Sequence, residues 1–498
     1  MNNPWIAGTA IAAALGVSAQ PGAAQTPDQS AVHRYQQSLD SLVPAILEEL
    51  ATPGAAVALL RDGKVVLAKG YGWADRERRQ PVTTATLFNI GSISKTVAAW
   101  GLLKLVEEGK LDLDAAVETY LTRWHLPPSE FDHDKVTLRR LLSHTAGLRL
   151  HGYPGFDPSQ KLPTIEESLS GATNGSGDVR VIMEPGTRWQ YSGGGYTIAQ
   201  LLVEEVTGRS FNDYMQAEVL RPLGMTSSSY VWDDMVPARA ATPYGPLGPI
   251  PGPRFTAQAA ASLQTSLDDF VRFALASMSS ERPGLATTVL PSHVVASMQV
   301  PVAPSTDYGL GYGVDEVLDG AHAVGHGGAN EGWMARFLVV PRTGHGLIVM
   351  TNSTLGGSVH GYLFCQWGRA VLAETSQCRK GIGAVVTASI GKDGVKSAIE
   401  SYWRLKRSNA DDYDFREFHL NAVGYGLLRA GRVEDAIAIF KTNVEAFPAA
   451  WNTYDSLGEA YMVHGDKELA IANYEKSLEL NPQNQNGADR LKTLRGGS

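Results

Sequence analysis

The chain has 498 residues, 43% of them hydrophobic and 19% charged. That length predicts two or three domains, and the composition is that of a globular protein with ample material for a large core. A net charge of −8 offers no basic field to gather phosphates and excludes a nucleic-acid-binding role.

Trp5 to Val17 is an apolar run of small residues, followed by SAQPGAAQ with small-residue cleavage options after Ala19 or Ala24. Residues 1–24 are therefore expected to be a secretory signal peptide, too short to span a bilayer, which makes the protein periplasmic or secreted. No Lys or Arg precedes Arg34, so a disordered Ala-rich leader is the alternative. No later segment is long and apolar enough to cross a membrane.

Residues 31–50 predict a helix, with Tyr35, Leu39, Leu42, Ile46 and Leu50 at helical spacing. GAAVALLRDGKVVLAKGYGWAD predicts two strands joined by a turn at Asp62–Gly63. A helix with Val97, Leu102, Leu105 and Val106 follows Ser92. Residues 110–320 mix helices with Gly/Pro-rich loops, of which Thr242 to Phe255 is the richest, a lid or a plain connector. From His322 the strand pattern returns, with a hairpin turn at Pro341–Gly344 and a helix near Tyr362–Ala373. Strands at both ends with helices between predict an α/β (α+β) fold, one antiparallel sheet covered by helices. Cys365 and Cys378 either pair or stay as buried thiols, and no Cys/His cluster has zinc spacing.

Beyond residue 390 two segments align at an offset of 34, Gly424 with Gly458, Ala436 with Ala470, Phe440 with Tyr474 and Pro448 with Pro482. This is the tetratricopeptide pattern, with small residues where two helices approach closely. Val395 to Asn409 is a candidate third, degenerate helix. Two repeats bury little alone, so the module is expected to lean on a neighbour or a protein partner. The resulting division is a signal peptide at 1–24, a main domain at 31–375, a linker at 376–394 and helical repeats at 395–492.

The chemistry centres on GSISKT. A phosphate-binding loop needs glycines where this chain has Ser94 and Asn89, which rejects that reading. Ser92 and Lys95 stand at i and i+3, one face of a helix, so the amine reaches the hydroxyl. A helix N-terminus and a dry pocket both favour a neutral amine able to accept the serine proton. A second S-x-x-K, Ser389 to Lys392, is followed by glycine and by no apolar helix, and carries no such expectation. Tyr191, in a loop ahead of a helix, is a candidate proton relay, a phenol that neighbouring cations would make easier to ionise. His326, Gly327 and Gly328 open the last strands, and the Ala329 N–H is a candidate to join that of Ser92 as an oxyanion hole. Tyr153, Trp189, Tyr230, Trp232 and Trp333 are candidates for an apolar pocket, or for core.

SISK, YSG and HGG, in that order, resemble the three motifs of the penicillin-recognising serine hydrolases, nearest to the class C β-lactamase and D-alanyl-D-alanine carboxypeptidase branch with its esterase and peptidase relatives. LLSHTAGL, PLGMTSSSY and YGLGYGV support the resemblance, which covers about 35–375. It implies a β-lactamase/transpeptidase-like sheet with an all-helical domain. It also implies an acyl-enzyme at Ser92, proton transfer by Lys95 and Tyr191, and an oxyanion held by Ser92 and Ala329. His326 would stand in the place of the family's third-motif lysine, contacting Tyr191 or a substrate carboxylate. Gly193 replaces the substrate-gripping asparagine of Tyr-x-Asn. Both departures favour an esterase or small-peptide hydrolase, including one for D-amino-acid or cyclic peptides, over an efficient β-lactamase. The alternatives are a β-lactamase, a penicillin-binding sensor that stays acylated and signals through the repeats, and an inactive scaffold. No metal or organic cofactor is implied. The expected partners are a small-molecule or peptide substrate and a protein at the repeats.

Overall fold

The computed structural model describes residues 29–232, 238–246, 248–302, 306–317, 321–372 and 374–496. The expected signal peptide lies outside the described residues. The chain divides into two compact units, one of Gln25–Ser376 and one that includes Gln377–Ser498.

The first unit is built on a seven-stranded antiparallel sheet. Its strands are β1 (Gly54–Arg61), β2 (Lys64–Asp75), β3 (Gln80–Pro81), β4 (Gly313–Glu316), β5 (His322–Asn330), β6 (Trp333–Val340) and β7 (His345–Thr351), in the order β3-β2-β1-β7-β6-β5-β4. The seam is the β1–β7 pairing, with Ala55 opposite Thr351 and Leu60 opposite Gly346. Asp62 and Gly63 both take positive φ, 54° and 71°, which is what a two-residue hairpin turn between right-twisted strands requires.

Both faces of the sheet are covered because alternate residues of β1, β6 and β7 are apolar on each side. On one face α1 (Gln29–Glu49) and the later helix Gly356–Val371 pack together, tied by a 3.0 Å hydrogen bond from the Tyr35 hydroxyl to the Leu363 carbonyl. On the other face Ala56, Ala58, Phe337, Ile348 and Met350 join the main core with α2 (Ile93–Glu107). Twelve of the fifteen residues of α2 are buried, so it is a central helix that meets solvent only near its C-terminal end. The middle of the chain adds α3 (Gly193–Thr207), capped by Ser192, whose hydroxyl accepts from Gly195 N–H, and α4 (Leu267–Ala276). The helix Gly356–Val371 is α5.

The Gly/Pro-rich stretch from Thr242 to Phe255 is anchored rather than free. Tyr244 and Gly245 pair with Pro249 and Gly248, and the Tyr244 hydroxyl accepts from the Arg76 N–H at 2.7 Å. Both cysteines are disulfide-bonded.

The second unit starts with a long helix, α6 (Ile382–Ser408), broken at Gly394, where φ is 82°. The segment read as a linker is therefore helical from Ile382, because its glycines are outnumbered by apolar residues such as Ile382, Val386 and Ile390 that bury into the repeats. Ser389 and Lys392 lie within it. The repeats follow as α7 (Glu417–Arg429) with α8 (Val433–Ala446), and α9 (Trp451–His464) with α10 (Lys467–Leu480), closed by α11 (Gln485–Leu494). Gly424 faces the Phe440 ring and Gly458 the Tyr474 ring, the two equivalent positions where the sequence offset placed glycine against an aromatic.

Candidate active site

Ser92 closes the turn between the short strand Leu87–Asn89 and α2, at φ −64° and ψ −11°. The turn is built by Asn89, whose Oδ1 accepts the Gly91 N–H at 2.8 Å, and by Ser94, whose hydroxyl donates to the Gly91 carbonyl at 2.6 Å. Lys95 comes one turn later. Its Nζ lies 3.1 Å from Ser92 Oγ and donates to the Ala260 carbonyl at 2.7 Å. The side chain is buried, and burial alone lowers its pKa to about 7, so near neutrality a large share of the amine is unprotonated.

Tyr191 sits ahead of α3 with its ring centroid 5.0 Å from Lys95 Nζ. Burial holds its phenol above the ordinary value, with partial relief from a hydrogen bond to Ser92. The expected acidification by neighbouring cations does not occur, because burial raises the phenol instead. Tyr191 is a neutral O–H, able to pass a proton but not standing as a phenolate.

β5 lies directly against the nucleophile's turn. A Cβ on Gly91 would meet the Ala329 nitrogen at 2.6 Å, and a Cβ on Gly328 would meet the Ile90 carbonyl at 1.8 Å and the Ser92 nitrogen at 3.2 Å. Only glycine permits this approach, and Gly91 also needs its positive φ of 52°. The Ser92 N–H donates to no acceptor among the described residues. The turn Glu331–Gly332 closes on the pair Asn330–Trp333, so the next pair, Ala329–Met334, is of the opposite type and turns the Ala329 N–H away from β6. Both backbone N–H groups, of Ser92 and Ala329, thus lie where β5 meets the nucleophile's turn. Asn330 clamps the arrangement, its Nδ2 donating to Asn89 Oδ1 at 2.6 Å and to the Ala261 carbonyl at 2.9 Å.

His326 is spent within the protein. Its Nδ1 donates to the Gly327 carbonyl at 2.5 Å, which leaves Nε2 to accept from the Tyr308 hydroxyl at 2.9 Å. Burial, then Lys95, pushes its pKa down to about 4. The expected contact with Tyr191 is a ring contact, centroids 6.3 Å apart, while the ring nitrogens of His326 bond elsewhere, and the imidazole is uncharged near neutrality. Gly327 is exposed and open on its Cα side. Gly193, expected at the substrate, is the first residue of α3 and buried. A Cβ there would stand 3.0 Å from the His151 carbonyl, so the segment His151–Tyr153 fills the space a longer side chain would take.

The aromatic candidates divide. Trp189 packs 6.2 Å from the Tyr191 ring and belongs to the site, while Tyr153 is held by Thr197 at 2.6 Å. Tyr230 and Trp333 are core, the former donating to the Ser94 carbonyl, and Trp232 stacks on Trp333. His144, Tyr308, Asn89 and Asn330 had no role assigned from sequence, although His144 and Tyr308 lie inside LLSHTAGL and YGLGYGV.

The Beta-lactamase family profile matches residues 39–363, well over half of the chain. The chain belongs to the Beta-lactamase family. A tetratricopeptide repeat profile matches residues 451–484. Among relatives of this Beta-lactamase-family chain is Protein flp of Staphylococcus aureus strain COL, 26% identical over 332 residues. That match covers 64% of this chain and 63% of the relative, so the chain spans somewhat under two thirds of the curated relatives it matches. Among solved structures, an octameric penicillin-binding protein homologue from Pyrococcus abyssi is 28% identical with a TM-score of 0.55, over 64% of this chain and 74% of that one. A structure of SurE with D-Leu is 25% identical with a TM-score of 0.55, over 68% and 76%.

Proposed function

We propose that the chain is a serine hydrolase that cleaves an ester or amide through an acyl-enzyme at Ser92. The observation that carries this is the 3.1 Å contact between Ser92 Oγ and a buried, partly neutral Lys95. Lys95 Nζ takes the hydroxyl proton as Oγ bonds to the carbonyl carbon. The carbonyl oxygen becomes an oxyanion and receives the Ser92 and Ala329 N–H groups. The proton passes from Lys95 through the Tyr191 hydroxyl to the leaving oxygen or nitrogen as that bond breaks. Water then adds to the acyl carbon, gives its proton back along the same route, and Ser92 leaves as a hydroxyl.

The substrate reading favours an uncharged ester or small amide. His326 is neutral with both ring nitrogens engaged, Gly193 offers no amide, and Trp189 and Tyr308 supply aromatic walls. A D-amino-acid amide is kept in the same class, supported by the likeness to SurE, solved with D-Leu. A second reading, a penicillin-binding sensor that stays acylated, is favoured by the likeness to a penicillin-binding protein homologue and by the repeat unit, which suits a protein partner. Export is proposed as well, supported by the apolar run Trp5 to Val17 and by the disulfide-bonded cysteines.

A panel of p-nitrophenyl esters, D- and L-aminoacyl anilides and nitrocefin, run with the protein and with Ser92→Ala, tests this. Turnover of esters or anilides that Ser92→Ala abolishes is the expected result. A stable adduct on Ser92 without turnover selects the sensor, no adduct selects the scaffold, and nitrocefin as the best substrate by far overturns the substrate reading.

A further inference from the structure

We propose that His144 is a positioning residue that holds Tyr191 in place by gripping the residue on each side of it and stacking on the phenol itself. The inference rests on reading Tyr191 as the proton relay.

His144 follows the short helix Leu138–Leu142 and takes the left-handed conformation, φ 60°. Its backbone carbonyl accepts the Gln190 N–H at 2.7 Å. Its ring Nδ1 accepts the Ser192 N–H at 3.1 Å. Its ring lies against that of Tyr191, centroids 4.1 Å apart and planes 36° apart. One side chain and its own carbonyl thus fix three consecutive residues, with Tyr191 in the middle. Ser192 is also the cap of α3, and its hydroxyl donates to the Leu150 carbonyl at 2.8 Å, so the grip is anchored to a rigid element.

Packing alone does not account for a histidine here. The ring is buried, and its Nε2 has no hydrogen-bond partner among the described residues. Burying a polar atom without a partner is costly, so a hydrocarbon ring would fill the same space better. What the imidazole adds is the acceptor at Nδ1. An amide nitrogen always donates, so Nδ1 must present a lone pair and the single ring proton must sit on Nε2. The neutral form is therefore the working form. Burial keeps it so, reinforced by Lys95, His326 and His151, and the remaining titratable groups around the ring are the phenols of Tyr191, Tyr196 and Tyr308. A proton on Nδ1 would face the Ser192 N–H and break the hold on Tyr191.

The test uses the full chain with p-nitrophenyl acetate. His144→Phe keeps a ring and loses the acceptor; His144→Asn keeps an acceptor and tolerates positive φ. Each is made alone and together with Tyr191→Phe, and each is melted to establish that it folds. His144→Phe is expected to lower kcat by about tenfold or more with KM within about twofold, His144→Asn to restore part of it, and His144→Phe to cost nothing further once Tyr191 is phenylalanine. Nitrogen-15 NMR of the histidines in the unmutated protein is expected to show His144 protonated on Nε2 from neutral pH down to well below pH 6.5.

An unchanged kcat in His144→Phe, with Tyr191→Phe impaired, overturns the proposal and leaves the hydrolase reading standing. Full activity in Tyr191→Phe overturns the relay and this proposal together. Should the variants not fold, or the ester not turn over, the NMR measurement decides alone, since a proton on Nδ1 is incompatible with the grip.

Discussion

Lys95 Nζ stands 3.1 Å from Ser92 Oγ and 2.7 Å from the Ala260 carbonyl, so one buried amine spans the nucleophile and a backbone acceptor. With the carbonyl holding one of its protons, the lone pair that forms on deprotonation is left to face the hydroxyl.

Acylation should therefore follow the titration of Lys95. Its pKa is lowered by burial to about 7, and the neutral form is the base, so kcat/KM rises as pH increases through about 7 and falls below it. Lys95→Arg stays charged throughout and should lose about 10³-fold, with the limb gone. A rate profile from pH 5 to 9 checks both.

Gly328→Ala should separate the oxyanion strand from the nucleophile. Its Cβ would lie 1.8 Å from the Ile90 carbonyl, and backbone must move to admit it. The expected loss is about 10²-fold in kcat, with roughly 1–3 kcal/mol of stability. Gly327→Ala meets nothing within 4 Å and should change stability by less than about 0.5 kcal/mol. Paired urea melts and initial rates separate the two.

His326→Lys should change which substrates are preferred. The histidine is neutral, with its pKa lowered to about 4 by burial and by Lys95, so it offers a substrate carboxylate no charge at pH 7. A lysine there should raise kcat/KM for esters with a free carboxylate, relative to neutral esters, by about tenfold. Matched p-nitrophenyl succinate and butyrate rates measure the ratio.

The repeats should respond unequally to the same change. A Cβ at Gly424 would lie 2.5 Å from Phe440 ring atoms, against 3.2 Å from Tyr474 at Gly458. Gly424→Ala should destabilise the second unit by roughly 1–3 kcal/mol, and Gly458→Ala by less, or not at all. Circular dichroism melts of the full chain follow both.

The sheet and the repeats were legible in the sequence. Apolar runs on either side of turn residues marked the β1–β2 and β6–β7 hairpins, and a fixed offset marked the repeats. That Ser92, Lys95 and Tyr191 come together, with Ala329 against the nucleophile's turn, was legible from the order of three short motifs. That His326 offers no fixed charge near neutrality was legible from the residue type, but its partner Tyr308 and the burial and Lys95 that lower its pKa were not, since no local string encodes them. What fills the side-chain space at Gly193 was not legible either, because the segment His151–Tyr153 is remote in sequence. His144 showed as part of a phrase, but its role depends on two N–H groups more than forty residues away.

The seam between β1 and β7 joins Ala55 to Thr351. During synthesis the hydroxyl, amine and phenol all leave the ribosome before the strand that bears Ala329, and the sheet cannot close until Thr351 has followed. On the proposed mechanism, a nascent or prematurely terminated chain would carry the nucleophile and its base but lack the Ala329 donor, so the last strands would be what completes the site.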